Sequence, residues 1–369
     1  MKKSLLALAV LGAFAGVASA QSSVTLYGTL DVNGRYIKNS GQERRFSMGT
    51  DGINSSQLGF RGIEDLGGGL KAGFTLLAGT NPDAGTSNAK FWNRRSTVSL
   101  FSNAGELRLG RDYTPLFWNQ TIFDAFGTNG IGESNGIRQI WEGVRSDNSI
   151  GYFLPSNLGG FYGQAMVTAG EGGQTNAGSG SDRQGGRLIS ARLGFAAGPF
   201  DVAAAYGTMK FSAATTVTSF PSAGALAFAV PAGSSMKTWN VGGSYDFGFL
   251  KLLGYYDHDK INGAFGDARE KMFSVSTVIP MGQGEVHVGY DRSKLDTSSA
   301  ALINPTVDQW SATYQYNLSK RTAVYGTVSR LDNKDATQLT LGNVPNGVPG
   351  LPTPGGTSKG LELGVRHFF

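Results

Sequence analysis

The end of the chain, residues 361–369, constrains the fold more than any other stretch. Apolar side chains alternate there with charged, small or aromatic ones, which is the two-residue period of a β-strand. One face carries Leu361, Leu363, Val365 and Phe369, and the other carries Glu362, Gly364, Arg366 and Phe368, with His367 interrupting the apolar face. A terminal strand with one apolar and one charged face, ending on an aromatic residue, is typical of a barrel wall between lipid and water.

The same alternation recurs along the whole chain in segments of about ten residues. Tight turns, such as 67–69, 103–105 and 281–284, join the segments at one end. Long polar loops join them at the other end, at residues 80–90, 171–186, 211–235, 259–269, 293–306 and 332–356. The pattern predicts an all-β protein, a transmembrane antiparallel β-barrel of about 16 strands with both termini periplasmic. Regular pairing of the segments disfavours the alternative of a soluble β-sandwich or β-helix.

The beginning of the chain predicts export. Lys2 and Lys3 precede an apolar run over residues 5–17, and the small residues 18–20 form a cleavage site. We therefore expect residues 1–20 to be a cleaved signal peptide and residues 21–369 to be one outer-membrane barrel. No later apolar run reaches the roughly 18 residues that a transmembrane helix needs, which leaves strands as the means of crossing the membrane.

Composition excludes several classes of function. Charged residues make up 16% of the chain, below the roughly 25% of an average globular domain, and cysteine is absent. The absence of cysteine rules out thiol catalysis and cysteine-based metal sites. The net charge of +5 includes Lys2 and Lys3 of the leader, so the mature chain is too weakly basic for a nucleic-acid partner. No metal-ligand spacing or phosphate loop appears, and we expect no cofactor.

Residues 112–146 form the longest departure from the alternation. This segment carries Phe117, Trp118, Phe123, Phe126 and Trp141, too many aromatic residues for a solvated loop. The barrel interior below the rim is the available place to bury them. We therefore expect an inward-folded constriction loop that narrows the channel. An outward loop that contacts a neighbouring subunit is the alternative.

Four stretches of the sequence resemble the general porins of beta-proteobacteria: residues 22–28, 58–72, 109–115 and 364–369. The resemblance covers essentially the whole mature chain. It implies a homotrimer of sixteen-stranded barrels in the outer membrane, among lipid and lipopolysaccharide, each barrel with its own pore. It also implies that the third extracellular loop, here residues 112–146, folds inward. The implied function is passive diffusion of small hydrophilic solutes and ions through a water-filled channel.

The resemblance further implies a ladder of basic wall residues that faces acidic residues of the loop. Matching motifs place Arg94 and Arg145 on the ladder and Asp124 on the loop, with Glu133 as a second acid. Gln57 stands where related porins often carry an arginine. Because Arg94 and Arg95 are adjacent, strand parity leaves open which of them faces the pore.

Strand parity and the cost of charge on the lipid face give further lumen-facing candidates. They are Arg35, Arg61 and Lys71, with Asp31 on the acidic side. The balance of these charges is positive, which predicts a modest preference for anions. The alternative for each arginine is that it only pairs with a neighbouring carboxylate.

Catalytic patterns are weak in this sequence. Asp257-His258-Asp259 is the one suggestive cluster of titratable residues, and a charged barrel rim explains it without catalysis. We therefore expect no enzymatic activity. The alternatives are an outer-membrane barrel enzyme of the hydrolase class and a substrate-specific channel. The latter needs a continuous row of aromatic side chains along the lumen, which the parity does not show.

Overall fold

The structure is a computed structural model. It describes residues 23–138, 143–169, 186–211, 215–218, 227–231, 233–263, 266–298, 304–342 and 350–369. The predicted signal peptide and Trp141 lie outside the described residues. No helix within the described ranges is long and apolar enough to cross a membrane.

Sixteen antiparallel strands of the described chain form the wall of a closed barrel. Closure is made by the first and last wall strands, β1 Ser23–Asn39 and β20 Thr357–Phe368, which pair with Arg35 opposite Glu362. The wall strands are β1 Ser23–Asn39, β3 Gln57–Gly67, β4 Leu70–Asn81, β6 Arg95–Ser102, β7 Gly105–Tyr113, β8 Arg145–Phe153, β9 Phe161–Thr168, β10 Gly186–Ala197, β11 Phe200–Phe211, β14 Ser235–Asp246, β15 Lys251–Gly263, β16 Gly266–Met281, β17 Gly284–Thr297, β18 Thr306–Asn317, β19 Thr322–Asn333 and β20 Thr357–Phe368.

Four short strands supplement the wall: β2 Arg45–Thr50, β5 Thr86–Ser87, β12 Thr215–Thr218 and β13 Ala227–Val230. The strands β2 and β3 both pair with β1, so together they form one wall strand that is interrupted at residues 51–56. The interruption is held by Asp31, whose carboxylate accepts hydrogen bonds from the backbone N–H groups of Ile53 and Asn54, both at 2.9 Å. It begins at Asp51, which has a φ of 63°.

The predicted alternation of faces is confirmed on both closing strands. On β1, Asp31, Asn33 and Arg35 are buried in the interior, whereas Leu30 and Tyr36, which flank this stretch, are exposed on the outer surface. On β20, Glu362 and Arg366 are interior, and Leu361, Leu363 and Val365 are exposed outside. A water-filled interior and an outer band that meets lipid require this arrangement.

Short turns and long connections lie at opposite ends of the barrel, as predicted. The short-turn end also holds Ser23 and Phe369. Exposed aromatic residues surround it, including Phe161, Phe200, Phe247, Phe249 and Phe369, as an interfacial girdle requires.

The predicted loop over residues 259–269 is wrong. There β15 and β16 continue as a ladder in which Lys260 lies opposite Arg269, and the Lys260 ammonium is 3.1 Å from the Asp267 carboxylate. Charged residues such as Lys260, Asp267 and Arg269 make this end of the ladder polar, so its sequence resembles that of a loop.

Two buried apolar clusters lie inside the wall at the long-loop end. One joins strands β9 to β17 and includes Met166, Met209, Met236 and Ile261. The other includes Leu339 and Leu341 from the connection between β19 and β20, packed with Met272 and Ile137. The open part of the lumen therefore lies against the wall from β1 to β8.

Candidate functional site

The segment between β7 and β8 folds into the barrel, which confirms the inward interpretation. We call residues 114–144 the inward loop. It is shorter than the predicted range 112–146, because Asp112 pairs with Ser146 and Tyr113 pairs with Arg145 in the ladder. These four residues extend the strands to the point where the chain leaves the wall.

The inward loop begins with a short helix, α1 Pro115–Ile122. The Thr114 hydroxyl caps it by accepting a hydrogen bond from the Phe117 N–H at 3.3 Å, and Pro115 occupies the first turn. A threonine followed by a proline is a typical start of a helix, so this helix could have been predicted from the sequence. The half-buried Trp118 and Thr121, three residues apart, share the face of α1 that lines the open lumen.

The opposite face of α1 is anchored to the wall formed by β11 and β14. The Asn119 amide donates hydrogen bonds to the Ala203 carbonyl at 3.2 Å and to the Asn240 side-chain oxygen at 2.9 Å. Just beyond the helix, the Phe123 ring packs on Gly242, where any Cβ would collide with it. The absence of a side chain at Gly242 thus lets the loop approach the wall.

The end of the described loop is anchored by Arg138. Its guanidinium lies 2.7 Å from both the Asp257 and the Asp259 carboxylates, and all three side chains are almost fully buried. His258, between the two acids, points outward and stacks on Trp239 with a centroid distance of 5.6 Å. The suggestive Asp257-His258-Asp259 cluster therefore does not converge. Its acids hold the inward loop.

The middle of the loop contacts β16 and β17. The Ala125 N–H donates to the Ser276 hydroxyl at 2.9 Å, and the Ala125 carbonyl oxygen lies 2.7 Å from Nδ1 of His287. The Phe126 ring meets His287 edge-on and packs on Gly289. Together with Arg138, these contacts hold the loop across the lumen.

A cavity of about 750 Å³ lies between the inward loop and the wall from β1 to β8. Four of the seven predicted site residues line it: Arg35, Arg94, Arg145 and Glu133. Gln57 also lines it. The structure thus brings wall arginines and one loop acid to the same open passage.

Arg61 and Lys71 are not brought to this cavity. Arg61 lies opposite Thr25 on β1, ten positions and therefore roughly 33 Å along the strand from Arg35. Lys71 lies opposite Asp65 beside the turn at 67–69. Both side chains are exposed at the short-turn end of the barrel. Strand parity indicates the face of the sheet on which a residue lies, but it does not indicate the height of that residue along the barrel.

Asp124 faces the wall rather than the cavity. Its carboxylate accepts hydrogen bonds from the Ser134 hydroxyl at 2.7 Å and from the Phe126 N–H at 2.9 Å, so it shapes the loop itself. Burial raises the pKa of Asp124 to about 6. Of the two acids predicted for the loop, Glu133 lines the cavity and Asp124 does not.

The pairing of the basic residues decides what charge the cavity presents. Arg35 forms an ion pair with Glu362 on the neighbouring strand. Arg94 Nη2 lies 3.4 Å from the Asp51 carboxylate, an acid that the sequence analysis missed. Arg95 Nε lies 2.7 Å from Asp112. These three arginines are therefore at least partly compensated.

Arg145 differs from the other cavity arginines. Its Nη2 lies 3.2 Å from the Tyr113 hydroxyl, and its guanidinium carbon sits 4.5 Å from the centre of the Tyr113 ring. Among the described residues, it has no carboxylate partner. Arg145 thus contributes an uncompensated positive charge to the cavity.

Arg94 and Arg95 both line the cavity, which answers the question that parity left open. Arg95 is the first residue of β6 and faces the lumen with Thr97 and Ser99. Arg94 precedes the strand, although its N–H still bonds the Leu77 carbonyl, and its side chain reaches the same space. A residue just outside a strand escapes the parity rule, so two adjacent side chains point to one lumen.

Glu133 predicts a dependence of ion preference on pH. Burial raises the pKa of Glu133 to about 8, despite the opposing effect of Arg35. The carboxyl is therefore mostly neutral at pH 7 and charged at pH 9. We expect the anion preference to fall over this interval, measured as the zero-current potential in a salt gradient.

Two variants check this assignment. Glu133→Gln should reduce the change between pH 7 and pH 9. Asp124→Asn should keep it, because the pKa of Asp124 lies at about 6 and that group is already ionised at pH 8. A pH dependence of undiminished size in Glu133→Gln would assign it to another group.

Comparison with known proteins agrees with this architecture. The model of the family described as Gram-negative porin matches residues 7–336. Outer membrane porin protein 32 of Delftia acidovorans is 38% identical over 100% of both chains, and an outer membrane porin protein of Bordetella pertussis is 29% identical over 93% of this chain and 98% of its own. The solved anion-selective porin from Comamonas acidovorans has a TM-score of 0.77 and 33% identity, covering 95% of this chain and 100% of that chain.

These relatives point to a channel rather than an enzyme. The match to the solved porin also agrees with the sixteen-stranded wall of the described residues. The chain belongs to the Gram-negative porin family and forms a passive channel in the outer membrane.

Proposed function

We propose that this porin passes small hydrophilic solutes and ions with a modest preference for anions. The observation that carries the proposal is Arg145, which meets a phenol where the other cavity arginines meet carboxylates. In a passage with low-dielectric walls, such a charge raises the local concentration of anions. The relative from Comamonas acidovorans is described as anion-selective.

The acids of the cavity offset this charge only in part. Glu133 is mostly neutral at pH 7, since its pKa is about 8. Asp51 lies 3.4 Å from Arg94 and compensates that residue. We therefore assign the ion preference mainly to Arg145, since Arg94 is partly offset by Asp51 and Arg35 is paired with Glu362. Asp51, which remains partly exposed, leaves a route for cations and keeps the preference modest.

The direct test is conductance in planar bilayers. With a tenfold gradient of potassium chloride at pH 7, the zero-current potential should have the sign of chloride preference. The preference should weaken as salt rises, because the Debye length falls from about 10 Å at 0.1 M to about 3 Å at 1 M. A potential with the sign of potassium preference would contradict the proposal.

The proposed assembly is a homotrimer embedded in lipid and lipopolysaccharide, with three separate pores. Strands β1 and β3 do not present bare glycines at Gly34 and Gly62 for a subunit contact. Gly34 is covered by the Phe46 ring and Gly62 by the Phe74 ring of the same chain. Phe46 and Met48 of β2 are strongly exposed beside this patch, so a subunit contact there would be formed by apolar side chains.

Light scattering of the detergent-solubilised protein tests the assembly. We expect a protein mass three times that of the mature chain and conductance that appears in steps of three. Phe46→Ser should lower the trimeric fraction, whereas Phe249→Ser, another strongly exposed outer residue, should leave it unchanged. A monomer with full channel activity would contradict the trimer.

A further inference from the structure

We propose that the cavity beside α1 binds aromatic carboxylates, with the carboxylate on Arg145 and Arg94 and the ring against Trp118. The proposal rests on the proposed anion preference and names the class of solute that the same passage retains. Three features of the described residues carry it: two convergent guanidinium groups, a half-buried tryptophan ring that lines the cavity, and buried donors without partners.

The guanidinium groups of Arg145 and Arg94 converge on one residue. Both interact with the Tyr113 side chain, and Arg145 does so with its Nη2 at 3.2 Å from the hydroxyl. Nε of each arginine is buried and has no hydrogen-bond partner among the described residues. Two adjacent sets of N–H donors match the two oxygens of a carboxylate, and hydrogen bonds between charged groups are the strong ones.

The aromatic surface lies next to these donors. The Tyr113 ring is not available to a solute, because it stacks on Phe117 with a centroid distance of 5.4 Å and Arg145 lies over it. Trp118 is tilted against Tyr113 at 5.4 Å, is only half-buried and lines the cavity. Part of its ring is therefore open to a solute, and its buried Nε1 has no partner among the described residues.

A planar aromatic acid satisfies both parts of this site. Chloride or a small aliphatic acid engages the arginines alone, whereas a solute with a ring also stacks on Trp118. Such an aromatic contact raises a binding constant by roughly twofold to tenfold. The cavity of about 750 Å³ is much larger than a single-ring acid, so the solute is retained briefly and does not seal the channel.

Single-channel recording with two matched anions tests the proposal. Benzoate and cyclohexanecarboxylate have the same charge and nearly the same size, and only benzoate is aromatic. We expect benzoate to interrupt the potassium chloride current at a concentration roughly twofold to tenfold lower than cyclohexanecarboxylate does. Equal block by the two acids in the wild-type channel would overturn the proposal.

Three variants locate the site. Trp118→Leu should make the two acids equivalent, Trp118→Phe should keep part of the difference, and Trp239→Leu, which removes a tryptophan from the outer face, should keep all of it. The ratio of the two blocking concentrations is read within one channel, so a general change in conductance cancels. Undiminished benzoate preference in Trp118→Leu would overturn the proposal.

The test separates this inference from the proposed function. Absence of chloride preference in the wild-type channel would defeat the proposed function. Normal chloride preference with equal block by both acids would defeat only the aromatic site. Heat-modifiable migration in gels verifies that each variant folds, and a variant that does not fold is replaced by Trp118→Phe, whose reduced ratio is then the decisive value.

Discussion

We expect the double variant Arg94→Gln/Arg145→Gln to lose its preference for anions and shift toward cations. At roughly 7 Å from the path of an ion in water, one unit charge changes the energy of a monovalent ion by about 0.6 kcal/mol. Screening at 0.1 M salt leaves about half of this. Removing both charges therefore lowers the anion-to-cation permeability ratio by roughly sevenfold. Loss of Arg94 also leaves Asp51 without its partner, which adds to the shift.

The matched control is Arg61→Gln/Lys71→Gln. It removes the same number of positive charges from the lumen side, but at the short-turn end, away from the cavity. We expect a much smaller change in the zero-current potential. If both double variants shift the potential equally at low salt, the ion preference reflects total charge rather than the cavity, and the assignment to Arg94 and Arg145 is wrong.

The second large effect concerns the anchor of the inward loop. Arg138→Ala leaves the buried carboxylates of Asp257 and Asp259 without their shared cation. Breaking a buried ion pair from one side costs roughly 3–5 kcal/mol. We expect the end of the loop to detach from β15, which raises the noise of the open-channel current and exposes the loop to protease.

A charge-neutral triple variant distinguishes the loss of the ion pairs from the cost of leaving buried carboxylates unpaired. Arg138→Met with Asp257→Asn and Asp259→Asn removes all three charges, and such replacements often restore most of the stability. We expect its current noise and protease resistance to approach the wild-type values. If Arg138→Ala keeps the wild-type current noise and protease resistance, other contacts, such as those of Asn119 and Ala125, suffice to hold the loop.

The wall of the barrel was predictable because its signal is local and repeated. Strand period two assigns each residue to lipid or lumen, and this placed Arg35, Glu362 and Arg366 correctly on the inner face. The length and aromatic content of the segment between β7 and β8 were sufficient to predict that it folds inward.

The partners inside the lumen were not predictable, because they depend on contacts between distant strands. Arg138 meets Asp257 and Asp259 more than a hundred positions away, and no local pattern links them. Asp51 reaches Arg94 only because the wall strand is interrupted at residues 51–56. Asp124 and Glu133 lie on one loop, and only its path across the lumen decides which of them meets the open passage.

The height of a residue along the barrel was equally hidden. Parity assigned Arg61, Lys71 and Arg35 to the same face, although Arg61 and Lys71 lie at the short-turn end. Once the strand pairing is known, counting residues along the paired strands gives the height of each residue along the barrel. The sequence pattern alone reports the face of the sheet and not the depth.

The central claim is that the charge at position 145 sets the ion preference of the pore, and chemical replacement of that charge tests it most directly. The chain contains no cysteine, so Arg145→Cys introduces a unique thiol. We expect this variant to lose anion preference, to regain it after reaction with a cationic trimethylammonium methanethiosulfonate, and to become cation-preferring after reaction with the anionic sulfonate reagent. A zero-current potential that is the same in all three states, with modification of the thiol verified by mass, would contradict the account.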